Sequence, residues 1–145
     1  MRVKRADGTY IEIREGDQIC TWNAPTGEQW HWSIVAATAF AQARNEIVRI
    51  SLAELGMTGP RLMQVCPNLD PVHALTTDLS QPLLFVPIDD KVRLIDGAHR
   101  VCKALFLGID CLPAYFLTPE ESEASIIARI PVQPGGKRQT VQWQK

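Results

Sequence analysis

Leu83-Leu84-Phe85-Val86-Pro87-Ile88, Asp89-Asp90, Lys91-Val92-Arg93-Leu94-Ile95, Asp96-Gly97 and Ala98-His99-Arg100-Val101-Cys102-Lys103-Ala104-Leu105-Phe106-Leu107-Gly108 follow one another without interruption, and their reading decides the fold. The two apolar runs read as strands joined at Asp89-Asp90, and Asp96-Gly97 ends the second directly in front of a helical pattern. In that pattern Ala98, Val101, Cys102, Leu105 and Phe106 fall at i, i+3, i+4, i+7 and i+8, an apolar stripe, and Gly108 stands where a C-terminal cap belongs. Opposite the stripe lie His99, Arg100 and Lys103, so the polar face of the helix is basic. A helix start offers unpaired backbone N–H groups and the positive end of the dipole, and Gly97 lets a ligand approach the backbone closely. The spacing predicts a phosphate site there, with a row of solvated charges as the alternative.

Outward from this unit, Cys111 to Leu117 reads as a strand. Thr118-Pro119-Glu120-Glu121 then opens a helix, with cap, proline and acidic first turn in order, expected to run to about Arg129. Upstream, Asp70-Pro71 opens a helix over Val72 to Thr77, and Ser51-Leu52-Ala53-Glu54 is a capping box for a short helix stopped by Gly56. Ser33 caps an alanine-rich helix over Ile34 to Arg44. The first third reads as two hairpins: Val3–Arg5 with Thr9–Arg14 around Asp7-Gly8, and Gln18–Trp22 with Gln29–Trp32 around Ala24 to Glu28. The second carries Trp22, Trp30 and Trp32, read as a small packed core, with base stacking of single-stranded nucleic acid beside Arg14 or Arg44 as the alternative. The expected organisation is a hairpin extension and helix over residues 1–46, a compact α/β (α+β) core with a mixed sheet over 47–130, and a flexible tail over 131–145. In that tail Val141 and Trp143 alternate with glutamines and suit an edge strand in an assembly.

At 145 residues and 46% hydrophobic, the chain has the size and composition of one ordinary domain, which excludes a large multidomain enzyme. Fifteen basic against sixteen acidic side chains leave a net charge of −1, so any polyanion contact must be local: Arg100, Lys103 and the Lys137-Arg138 pair form the basic face available to DNA. The most apolar stretch, Ile34 to Ala41, is far shorter than the roughly 20 residues that cross a bilayer. With no signal-peptide pattern in Met1 to Asp7, the reading is a soluble cytoplasmic protein without a membrane partner. Cys20, Cys66, Cys102 and Cys111 form no Cys-x-x-Cys pair and read as reduced structural thiols, and His31, His73 and His99 have no zinc-ligand spacing.

Ile95-Asp96-Gly97-Ala98-His99-Arg100, with Lys103 to Gly108 and the strand Leu112 to Leu117 behind it, resembles the central box of the ParB/sulfiredoxin-like superfamily. Ile50 to Leu55 resembles that family's leading strand and helix, and Gln81 to Val86 the strand before its signature turn, so the likeness spans about residues 47 to 123. It implies a compact α/β domain holding nucleotide phosphates at the Gly-x-His-Arg turn. By that resemblance Gly97, Ala98, His99, Arg100 and Lys103 line the phosphate site and Gln81 lies near the nucleotide. Arg100 matters most, because a guanidinium grips two phosphate oxygens at once.

The departures narrow the activity. Sulfiredoxins carry their catalytic cysteine at the position of Ala98, so that repair chemistry is not expected, and Cys102 on the apolar stripe is a poor substitute. Partitioning ParB proteins carry a helix-turn-helix domain after the box, for which few residues follow here. Three readings stay open. A nuclease or nucleotide hydrolase would use Asp96, His99 and Arg100, with Mg2+ held by Asp96 and with Glu54 and Asp89 as further candidate ligands; against this, Asp96 is also a natural helix cap. A small-metabolite kinase would need a carboxylate base that no residue stands out to supply. A non-catalytic module would bind a nucleoside triphosphate or diphosphate and regulate a protein partner or a homodimer.

Overall fold

A computed structural model describes residues 1–4 and 7–132, an α+β arrangement of these elements. They are β1 (Arg2–Lys4), β2 (Tyr10–Glu12), β3 (Ile19–Asn23), β4 (Glu28–Ser33), α1 (Ile34–Arg44), β5 (Val48–Ser51), α2 (Gly59–Val65), α3 (Pro71–Ala74), β6 (Leu83–Ile88), β7 (Lys91–Asp96), α4 (Ala98–Leu107), β8 (Cys111–Phe116), α5 (Pro119–Ser125) and β9 (Ile126–Pro131). They divide into two compact units, one built from the described residues of 1–43 and 118–132 and one from 44–117. No helix among the described residues is long and apolar enough to cross a membrane. Of the expected tail over 131–145, residues 133 onward, with Lys137, Arg138, Val141 and Trp143, lie outside the described residues, as do Arg5 and Ala6.

In the first unit both expected hairpins form. The β1–β2 turn is organised by Asp7, whose Oδ1 accepts from the Thr9 amide at 2.9 Å, and Val3 pairs with Ile11. Ile11 and Ile13 pack on Ala36 of α1. The β3–β4 turn closes through Gly27, whose φ of +88° only glycine adopts without strain. Trp32 is fully buried and its indole N–H donates to Ser122 Oγ at 3.1 Å, while Ser33 Oγ accepts from the Ala36 amide and caps α1 as expected.

The last helix departs from expectation. The Thr118 capping box starts it, but α5 ends at Ser125 and residues 126–131 form β9, which pairs antiparallel with β4. The β-branched Ile126-Ile127 pair favours a strand, and the open edge of β4 supplies the ladder. The two compact units meet in the chain at 43/44 and 117/118.

The second unit is a four-stranded mixed sheet in the order β5-β8-β6-β7, with β6 and β8 parallel and the other neighbours antiparallel. The α4 crossover from β7 carries the chain over the sheet to β8, and Val101 and Ala104 pack on Leu83, Phe85, Leu94, Leu112 and Ala114. The helix is rotated from its expected stripe. Val101 and Ala104 are fully buried whereas Phe106 is 75% exposed; at 3.6 residues per turn Phe106 lies about 140° around the axis from Val101. The small Ala104 is what allows close approach to the sheet.

The Ser51 box closes one turn and not a helix. Ser51 Oγ accepts from the Glu54 amide at 3.2 Å and donates to Asp110 Oδ2 at 2.5 Å, and Gly56 at φ +67° ends the turn. A further helix, α2, is capped by Thr58 through the Arg61 amide and has Pro60 in its first turn. Asp70 caps α3, which is shorter than expected, through the Val72 and His73 amides.

Candidate functional site

Gly97 ends β7 and begins α4 at φ +109°, a conformation that L side chains rarely adopt. A Cβ there would lie 2.5 Å from Leu83 Cδ2, so both backbone angle and packing require glycine. As the N-cap residue of α4, Gly97 brings no side chain to cap the first turn. A helix start without an N-cap side chain can present its leading amides to solvent or a ligand.

The three basic residues behave differently from the phosphate-facing row expected for them. Arg100 Nη1 donates to the carbonyl oxygens of Gln81 at 2.8 Å and Pro82 at 2.5 Å, and Nη2 to Asp96 Oδ2 at 3.0 Å. Its side chain is only 14% exposed. Lys103 Nζ donates to the Thr77 carbonyl at 2.6 Å. His99 Nε2 accepts from the Asp70 amide at 3.2 Å, which places the ring proton on Nδ1, and the ring meets His73 edge to face at 4.8 Å. Each cation or imidazole thus holds backbone of one segment, residues 70–82, against α4. Backbone groups have no residue-type signature, so Thr77, Pro82 and the Asp70 amide could not have been picked from the sequence. The nearest signal was the Asp70-Pro71 cap that fixes where the segment turns.

The other named residues are placed plainly. Gln81 brings a carbonyl to Arg100. Hydrogen bonds from Ser80, with Lys103 nearby, hold the Asp78 carboxyl below the usual carboxylate range. Ala98 is half-buried against the core, as is Cys102. Asp96 is spent on Arg100. Asp89 sits at the other end of β7, roughly 20 Å away at the usual rise of a strand, and Glu54 is in the turn after β5. Among the described residues no three His, Cys, Asp or Glu side chains converge on a metal position.

In the first unit the tryptophans pack on each other, with Trp22 and Trp30 edge to face at 5.2 Å and Trp30 and Trp32 at 5.9 Å. The cation above Trp30 is Arg129, at 4.6 Å, and neither Arg14 nor Arg44. Arg44 belongs to the second unit, where it donates to the Phe116 carbonyl at 2.7 Å. Arg129 was not singled out in the sequence because its segment read as helix. Comparison with known proteins gives no match to a family model, a curated protein or a solved structure.

Proposed function

We propose that the 44–117 unit binds the phosphates of a cytoplasmic nucleoside diphosphate or triphosphate at the start of α4 and uses that binding, without consuming the nucleotide, to regulate a partner. The observation that carries the reading is a ten-residue helix opening at a left-handed glycine with no side-chain cap and no acidic residue in its first turn. Uncapped amides and the positive dipole end favour a phosphate, and the bare Gly97 backbone permits its approach. His99 Nδ1–H supplies a donor while Nε2 is held by the Asp70 amide. Arg100 acts as a positioning residue that fixes the 81–82 wall, its charge paired with Asp96. The resemblance of the Gly97 to Arg100 turn to the ParB/sulfiredoxin-like box supports the same assignment.

Binding is favoured over hydrolysis because Asp96, His99 and Arg100, the residues a hydrolase would use, are all engaged with protein partners. The test is a calorimetric titration with ATP, GTP, CTP and their diphosphates, with and without magnesium, alongside a single-stranded oligonucleotide. His99→Glu keeps an acceptor for the Asp70 amide and suits a helix start, yet puts an anion where the phosphate binds. Nucleotide affinity falls about tenfold or more, ~1.4 kcal/mol or above, while thermal stability holds. No heat with any nucleotide overturns the reading; phosphate release over hours shows an enzyme, and binding of the oligonucleotide alone moves the site to nucleic acid.

A further inference from the structure

Two strand edges in the first unit frame a groove. β1 is paired on one side only, with β2, and β9 ends the β3-β4-β9 sheet. A cavity of about 700 Å³ is lined by consecutive residues of both, Met1 to Lys4 and Ile126 to Arg129. Side chains alternate faces along a strand, so a run of consecutive residues lines a groove through its backbone edge. Ile127 stands at the register shift opposite no residue of β4, at the middle of that run. Among the described residues both ladders that bound the groove are unpaired, the arrangement that accepts an added strand.

We propose that this groove binds an extended, acidic peptide segment of a partner protein by strand addition, joining the β1–β2 ribbon to the β3-β4-β9 sheet. The acidic character follows from the rim. Arg2 and Lys4 are exposed cations on β1, while the Arg129 charge is balanced by Glu123 through paired hydrogen bonds. The local surplus is positive although the chain as a whole is at −1. Charges on an edge strand repel indiscriminate apolar strands, and here the same charges select glutamate- or aspartate-bearing ones. The chain's own residues 133–145 contain Lys137, Arg138 and Lys145 and no acidic residue, the wrong sign for this rim.

The probe is a capped nine-residue peptide alternating valine with glutamate, compared with its lysine-for-glutamate counterpart and with one carrying a central proline. Binding is read by fluorescence anisotropy and by backbone amide shifts in the full chain. The glutamate peptide binds and moves the amides of Arg2 to Lys4 and Ile126 to Arg129. Arg2→Glu/Lys4→Glu lowers its affinity about tenfold or more and transfers preference to the lysine peptide. Lys4→Glu alone, which leaves Arg2 over the Tyr10 ring, gives a smaller shift in the same direction. Equal binding of the glutamate and lysine peptides, unchanged binding of the proline peptide, amide shifts elsewhere only, or no binding overturns the proposal.

Discussion

α4 and α5 begin in opposite ways. Thr118 and Glu121 close a reciprocal capping box, Pro119 fills the first helical position, and Glu120 and Glu121 complement the dipole. Every device available to a helix start is used for stability there. α4 opens at Gly97 with no side-chain cap, and His99 and Arg100 place basic groups at the positive end of its dipole. A missing cap costs about 1 kcal/mol, and a misplaced charge up to another. The compensation is tertiary: Arg100, His99 and Lys103 hold the 70–82 segment, and Asp96 returns a negative charge to Arg100. The start of α4 forgoes local stability and is repaired from outside, the feature on which the proposed anion site rests, whereas α5 spends its first turn on its own cap.

The sharpest way to break this contrast is Gly97→Ala. The left-handed backbone and the approach to Leu83 together cost about 3 to 4 kcal/mol, measured by urea unfolding; a loss under 1 kcal/mol would show that the turn relaxes freely. Arg100→Ala removes the clasp and leaves the Gln81 and Pro82 carbonyls and Asp96 without their donor. We expect a loss of about 2 to 3 kcal/mol, with faster amide exchange across residues 70–82. Thr118→Ala tests the other helix start: α5 loses its box for about 1 kcal/mol, with exchange rates in the 44–117 unit unchanged.

The smallest expected effect concerns Glu123. Hydrogen bonding from Arg129 holds its carboxyl below the usual carboxylate range. A depressed folded-state value means the stabilisation is present above the unfolded pKa, near 4.3, and is lost as pH falls through the folded one. Glu123 is 64% exposed, so solvent screening limits the contribution to a few tenths of a kcal/mol. Glu123→Gln removes that part of the acid sensitivity and leaves the midpoint near pH 7 within the same small margin.

The strand, turn and helix from Leu83 to Gly108 were legible because period, breaker and cap agree at each boundary. Both hairpins, the Ser33 cap and the α5 start were legible for the same local reason. Where two local signals competed, the sequence reading failed. The Glu120 to Arg129 stretch continues a well-started helix, yet Ile126 onward joins β4, a partner remote in sequence. The stripe on α4 suggested Phe106 in the core, but the sheet met the helix at Val101 and Ala104.

For the candidate site the division is sharper. Sequence alone determined that a glycine, an imidazole and a guanidinium stand at the start of one helix, because a turn dipeptide and a helical period are local properties of consecutive residues. Only the tertiary structure decided where those side chains point. Their partners are carbonyls and an amide of residues 70–82, backbone groups every residue shares. A hydrogen bond to such a group leaves no trace in composition or spacing, since what selects it is the packing that brings the segment within reach.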